Sequence, residues 1–418
     1  MKTVLITAYA VNPYKGSEDA MGWNMILQAL KNHRVIAVTR KNNQPAIEKY
    51  CKEHPENEHF DRLSCYYFDW PSWAIRWKKG PLLSMIYYYL WQLTLAIWLF
   101  RKRLNPDLVH NLNFHNDWTP SFLWILGKPF VWGHVGHHNK IPRQYILPIY
   151  GPRTYLQDRL LWVIKNIFWY ADPFLWLCKH KADVIICMNN AAVEKLRLKN
   201  NFIIHPSVAA DKENSYISQD LQHSFNILSV GRLVPLKGFD LTIRGFAWFY
   251  NNLPAADRAK VSLTIAGSGP AAELLHKIAR EEQVEGVIKF IDWLPREEVK
   301  KLYANATLFL YPSHEGAGMV VPEAMSFGLP VICLDNDGPG KLVAPSSCLL
   351  VKQDEYWPTV KAISEKLQHL YWNSPLLAQE KLLATERHQD LFQWNVRGKM
   401  LNKVYTYAAE KNSSCSLA

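Results

Sequence analysis

Short apolar runs that end in a loop and then give way to a helical pattern recur along the whole chain, and this alternation restricts the fold more than any other feature. Val4-Leu5-Ile6-Thr7-Ala8 is such a run, leading into Asn12-Pro13-Tyr14-Lys15-Gly16-Ser17-Glu18 before a helical pattern begins near Asp19. Further strands are expected at residues 35–39, 108–110, 130–132 and 184–187. The second half repeats the pattern at residues 225–230, 261–266, 287–291, 308–311 and 330–334. Strands separated by helices predict an α/β chain with parallel, doubly wound sheets. At 418 residues the chain exceeds what one hydrophobic core serves, so two domains are expected. The polar, poorly patterned stretch 211–223 is the natural linker. That places the domains at 1–210 and 220–390, followed by a helical segment at 391–418.

With 49% hydrophobic and 20% charged residues the chain is globular rather than disordered. A net charge of +11 favours anionic partners: phosphates of a small substrate, a membrane surface or nucleic acid. The absence of zinc spacing, an arginine-rich tract and an aromatic RNA-binding signature argues against nucleic acid. Seven cysteines, odd in number and without a C-x-x-C pair, fit a reducing compartment and hence the cytoplasm. The run 4–8 is too short for a signal peptide and is expected as a buried first strand.

Residues 82–100 carry no charge and are flanked by Lys78-Lys79 and Arg101-Lys102-Arg103, the arrangement of a membrane span. Three tyrosines, a serine, a glutamine and a threonine inside the run, and its place between two strands, favour a helix packed on the sheet or touching a bilayer. A second aromatic stretch, 160–177, is interrupted by Lys165, Asp172 and Pro173 and suggests peripheral contact with anionic lipid, or core packing.

The chemistry concentrates after two strands of the second half. His314-Glu315-Gly316-Ala317-Gly318-Met319-Val320-Val321-Pro322-Glu323-Ala324-Met325 places one carboxylate in a glycine-bearing loop and a second, seven residues between, inside a helix. Small residues let backbone amides at the helix start approach a ligand, and the helix dipole favours an anion. The alternative is an ordinary helix start with an acidic first turn. Val230-Gly231-Arg232-Leu233-Val234-Pro235-Leu236-Lys237-Gly238 puts two cations in a loop at the end of a strand, suited to clamp a diphosphate. Alone, these are two ordinary surface charges.

Together these elements resemble glycosyltransferase family 4, the "group 1" retaining transferases of GT-B fold. Glu-x7-Glu, Gly-Arg-x4-Lys-Gly, Ala266-Gly267-Ser268-Gly269-Pro270 and Gly328-Leu329-Pro330-Val331-Ile332 follow the family's order and spacing, most specifically over 225–345. The resemblance implies two Rossmann-like domains facing each other across a cleft, the first for the acceptor and the second for a nucleotide-sugar donor. It implies that Arg232 and Lys237 hold the diphosphate, that Glu323 takes the ribose and Glu315 the sugar hydroxyls, and that amides from Gly316 through Ala317 and Gly318 to Met319 reach sugar and phosphate. Gly16 corresponds to the family's N-terminal glycine, and Leu294, in Ile291-Asp292-Trp293-Leu294-Pro295, is similar to the segment that touches the base. Ala317 stands where an aromatic residue is frequent, and His205-Pro206-Ser207-Val208 replaces the usual Asn-Gly-Val, which bears on the identity of the sugar.

In the first domain, Gly133-His134-Val135-Gly136-His137-His138-Asn139-Lys140 lies where many family members carry a functional histidine, making His134 and His137 the candidates. The polar loop 111–117 either lines the acceptor pocket or forms a satisfied turn. The implied reaction moves a hexosyl group from a nucleotide diphosphate sugar to a hydroxyl of a saccharide or lipid-linked saccharide, with retention and with no metal or further cofactor. A front-face, ion-pair-like path and domain closure are expected. The segment Phe392-Gln393-Trp394 resembles the family's last helices, which cross back to the first domain. A non-hydrolysing sugar-nucleotide epimerase and a catalytically silent sugar-binding partner are the competing classes.

Overall fold

A computed structural model describes residues 1–213 and 224–415, so most of the linker expected at 211–223 lies outside the described residues. The chain forms two compact units. The first gathers Met1–His137, Val163–Ser207 and Trp394–Ala418, and the second His138–Trp162 and Val208–Gln393.

The first unit is built on seven strands: β1 (Thr3–Ala8), β2 (Arg34–Thr39), β3 (Leu63–Tyr67), β4 (Leu108–Asn113), β5 (Phe130–Val135), β6 (Val184–Cys187) and β7 (Phe202–Ile204). They lie in the order β3-β2-β1-β4-β5-β6-β7, every neighbouring pair parallel. β5 and β6 are buried at each position, which is why they read as unbroken apolar runs: helices cover both faces of a parallel sheet.

The second unit holds β8 (Phe225–Val230), β9 (Val261–Ala266), β10 (Ile288–Ile291), β11 (Leu308–Tyr311), β12 (Val331–Leu334) and β13 (Leu350–Val351). Their order is β10-β9-β8-β11-β12-β13, again parallel throughout. The helix Phe239–Asn251 sends Phe239, Phe246 and Phe249 into the core beneath this sheet, where they meet Val360, Ile363 and Leu367 of the helix Tyr356–Trp372. In both sheets the direction of strand addition reverses beside the first strand, between β1 and β4 and between β8 and β11. Loops at the carboxyl ends of such strands part there and leave a crevice.

Three strands had no counterpart among the expectations: β3, β7 and β13. All three sit at sheet edges, are two to five residues long and are largely half-buried, so their sequences lack the strong apolar run of a central strand.

Residues 138–162, expected in the first domain, belong to the second unit. Ile141, Tyr145 and Ile146 enter its hydrophobic core. The Tyr145 hydroxyl donates to the Asp354 carbonyl at 2.7 Å, and the Tyr150 hydroxyl to Asp240 at 2.6 Å. The helix Arg143–Ala171 that carries them is broken at Gly151, where φ is 80°.

The uncharged stretch forms most of the helix Gly80–Lys102, and Leu83–Lys102 is long and apolar enough, by length and composition, to cross a membrane. One side of it is built into the first unit. Tyr87, Tyr88, Trp91, Leu95 and Ala96 are at most 2% exposed, and the buried Gln92 donates to the Tyr88 hydroxyl at 2.8 Å. The terminal helix Trp394–Cys415 also belongs to this unit, with the Tyr405 hydroxyl 2.7 Å from His110 Nδ1 in β4.

Candidate active site

In the second unit the two charged loops stand side by side because β8 and β11 are neighbours. Backbone bonds hold them: the His314 amide donates to the Leu236 carbonyl at 2.9 Å, and Ser313 Oγ donates to the same oxygen at 3.1 Å. Gly238 is required at this junction. Its φ is 68°, and a β-carbon there would lie 2.1 Å from the Pro312 carbonyl oxygen. The glycine-rich segment after β9 closes the other side, with the Gly231 amide on the Ala266 carbonyl at 3.0 Å and the Leu233 amide on Ser268 at 2.9 Å. Beyond β12, Asn336 Nδ2 donates to the Ser313 carbonyl at 2.7 Å, while its Oδ1 accepts from the Gly338 amide at 3.0 Å. Four strand ends thus form one rim.

At its centre Lys237 Nζ bonds the Tyr311 hydroxyl at 2.5 Å and Glu315 Oε2 at 2.6 Å, and the Tyr311 hydroxyl donates to Glu315 Oε1. The Lys237 and Glu315 side chains are 15% and 17% exposed. Burial, and then the Glu315 charge, push the Tyr311 phenol well above its usual range, so it stays a donor. An ammonium has three protons to give, and two are committed. The third is available to a ligand oxygen, and the ammonium is already held in place by the first two. Arg232 is exposed, and its side chain makes no hydrogen bond or ion pair among the described residues.

Glu323 lies in the first turn of the helix Val320–Ser326. Burial raises its carboxyl above the ordinary carboxylate range, opposed by the neighbouring Arg296, Tyr303 and Lys300. Gly316, Ala317 and Met319 are half-buried along the loop between the two carboxylates, and Gly318 is buried. Leu294 is half-buried in the loop after β10, beside Trp293, which is 75% exposed. His314 is not a reactive group: burial lowers it to about 4, its ring packs edge-on against Tyr145 at 5.1 Å, and Nδ1 lies 3.3 Å from Gln353.

The first unit separates its two candidate histidines. His134 has no exposed surface and lies inside β5. Burial, followed by His205, His115, His110 and Arg397, holds its imidazole well below the usual value, and neither ring nitrogen has a hydrogen-bond partner among the described residues. An enclosed neutral ring of this kind belongs to the interior. His137, just past the strand, has Nδ1 2.7 Å from Asp117 Oδ2, an arrangement that fixes the ring and its tautomer. Gly16 is exposed at the start of the helix Ser17–Leu30, with open space where a β-carbon would go. Two residues on, Glu18 bonds His115 Nδ1 at 3.0 Å, and His115 Nε2 lies 2.9 Å from Ser207 Oγ. Tyr311 and Glu18 were not among the expected site residues, and His115 and Asp117 were expected only as part of the polar loop 111–117. Among the described residues no group of three or more His, Cys, Asp or Glu side chains is placed to hold a metal ion.

A cationic loop and an acidic loop joined at the switch point of a parallel sheet is the geometry that the family comparison meets. Residues 211–381 match the family Glycosyl transferases group 1. The second unit is therefore a group 1 glycosyl transferase domain, and the loops just described are its own. The O-antigen chain mannosyltransferase B of Escherichia coli is 36% identical over 108 residues, 25% of this chain and 27% of that protein. The amylovoran biosynthesis glycosyltransferase AmsK of Erwinia amylovora is 26% identical over 219 residues, 50% of this chain and 48% of its own length. The chain thus spans about half or less of the curated relatives it matches. Its fold extends further than these alignments. The crystal structure of HepE from Anabaena in complex with UDP superposes with a TM-score of 0.61 at 15% identity, covering 97% of this chain and all of that one. Both parallel-sheet units thus have the GT-B glycosyltransferase fold.

Proposed function

We propose that the chain is a retaining glycosyltransferase that moves a hexosyl group from a nucleotide diphosphate sugar to a hydroxyl of a saccharide or lipid-linked acceptor. The observation that carries this reading is the Lys237–Tyr311–Glu315 network beside an uncommitted Arg232 at the carboxyl edge of a group 1 domain. Arg232 and the third proton of Lys237 bind the diphosphate and offset the charge that grows on it as the glycosyl bond breaks. Stabilisation of this kind is usually the largest single catalytic term. Glu323 accepts from ribose hydroxyls and Glu315 from the sugar, with amides of residues 316–319 on the sugar and phosphate. The two cations supply the charge stabilisation themselves, so the reaction is assigned no metal. His137, backed by Asp117, is the first unit's candidate contact to the reacting centre, in preference to His134. With no carboxylate assigned as a covalent nucleophile, a front-face path in which the departing phosphate deprotonates the acceptor fits these residues. The roles of the E. coli and Erwinia relatives in O-antigen and amylovoran synthesis support a surface polysaccharide as the product class.

The test is calorimetry and thermal shift against UDP-, GDP-, dTDP- and ADP-sugars, with an Arg232→Ala/Lys237→Ala double variant alongside. Stabilisation by one nucleotide class, lost in the folded variant, supports the clamp and names the base. No response to any donor from folded protein overturns it.

A further inference from the structure

The first unit carries apolar side chains on its outside that the proposed reaction does not use. Within it, Val163, Ile167 and Tyr170 follow one another at helical spacing on the last turns of the helix Arg143–Ala171, 56%, 60% and 64% exposed. Phe174 and Trp176 continue the surface on the next helix, Pro173–Lys181, 41% and 56% exposed. The opposite sides of these helices are seated: Phe168 packs on Trp118 and Tyr89, and Phe174 keeps one edge on Phe122. Tyr89 also ties the helix Gly80–Lys102 to this place, its hydroxyl donating to Asp172 at 2.9 Å. That helix exposes Ile86, Ile97 and Phe100. Scattered single apolar residues need no explanation, but a run of this length on adjoining helices does.

Charge decides what covers it. Residues 163–199 contain six Lys and Arg against three Asp and Glu; Lys165 is buried and Lys179 donates to the Leu196 carbonyl, while Lys181, Arg197 and Lys199 are exposed and Lys195 is half-buried. Two of the three acids are committed internally, Asp172 to the Phe174 amide and Asp183 to the Phe130 amide. Lys195 Nζ lies 3.8 Å from the Trp169 ring centroid and 5.1 Å from that of Tyr170, and the Arg197 guanidinium is 5.7 Å from Tyr170. The core of a protein interface is depleted of charge. Aromatic rings interleaved with cations beside bare aliphatic side chains instead suit the headgroup layer of a bilayer, where the rings sit at the boundary and the cations meet lipid phosphate.

We propose that this face, Val163, Ile167, Tyr170, Phe174 and Trp176 with Lys195 and Arg197, docks the protein on an anionic lipid bilayer. The surface contains no residue of the donor site, so its test is independent of the glycosyltransferase reading. The full chain would be floated with phosphatidylcholine vesicles, with and without phosphatidylglycerol, at low and high salt. Binding is expected only with phosphatidylglycerol and is expected to weaken with salt. Lys195→Gln/Arg197→Gln should lower partitioning about tenfold or more, and Ile167→Ser/Phe174→Ser should abolish it even at low salt. Both variants should keep the wild-type circular dichroism and donor binding. If the serine variant fails to fold, the charge variant still decides. Vesicle binding that is absent, indifferent to headgroup charge, or unchanged in a folded variant overturns the proposal. A concentration-dependent dimer in sedimentation velocity that the serine variant abolishes would assign the face to a second copy of the chain and overturn it as well.

Discussion

Lys237→Ala removes the ammonium that holds both the Tyr311 hydroxyl and the Glu315 carboxylate, and it acts on the free protein and the donor complex in different ways. In the free protein Glu315 loses its counter-charge while keeping the Tyr311 bond. Breaking a fully buried pair costs about 3–5 kcal/mol, but these side chains are 15% and 17% exposed and water reaches them, so about 1–2 kcal/mol is expected. For a unit of this size that lowers the Tm by roughly 2–8 °C. In the complex the loss is a charged hydrogen bond to phosphate, about 1.5–3 kcal/mol, or roughly 10- to 150-fold in Kd. Turnover should fall further, about 100- to 1,000-fold, because the cation acts on charge that is complete only in the transition state. Calorimetry with the matched donor gives Kd, and initial rates give kcat. A thermal double-mutant cycle with Glu315→Gln isolates the pair, with a coupling of at least about 0.5 kcal/mol expected. Donor affinity unchanged in Lys237→Ala would refute the argument, as would coupling indistinguishable from zero.

Gly238→Ala forces a β-carbon into the Pro312 carbonyl at a positive φ. It should destabilise the protein by more than about 1 kcal/mol in denaturant unfolding and weaken donor binding by displacing the acidic loop. Glu323 accepts hydroxyl hydrogen bonds at both oxygens only when ionised, and its carboxyl is raised by burial, so donor affinity should fall on acidification from a higher pH than an ordinary Glu near 4.3 allows. A calorimetric pH series on Glu323→Gln should lose that dependence, and an identical profile would remove Glu323 from the site. Asp117→Asn frees the His137 ring and should lower kcat about tenfold or more with donor Kd unchanged, whereas a drop in both would make the pair structural.

The central strands were legible because burial on both faces leaves an unbroken apolar run, and β6, β8, β9 and β11 begin and end where their residues say. β3, β7 and β13 escaped because an edge strand needs only one covered flank. The charged loops stood out only in combination, since each alone reads as ordinary surface charge or a helix start, and that they meet at one rim follows from β8 and β11 being neighbours. Tyr311 was hidden by its position. It closes an apolar strand and reads as core, and only the geometry shows its hydroxyl turning back to Glu315. The Glu18–His115 pair joins residues 97 apart, and the Tyr145 and Tyr150 hydroxyls find partners 209 and 90 residues away. No local spacing carries information about such meetings. The same holds for residues 138–162, whose apolar side chains show that they are buried without showing in which core.

The path of the chain has a consequence for how the molecule is made. The first unit is left at Ser207 and resumed only at Trp394, and His110 in its β4 finds the Tyr405 hydroxyl 295 residues later. A nascent chain emerging from the ribosome therefore has every residue of the second unit before it has the last helix of the first. The second unit can complete itself during synthesis, while the first, begun earlier, must wait for the helix whose Tyr405 meets His110 in β4.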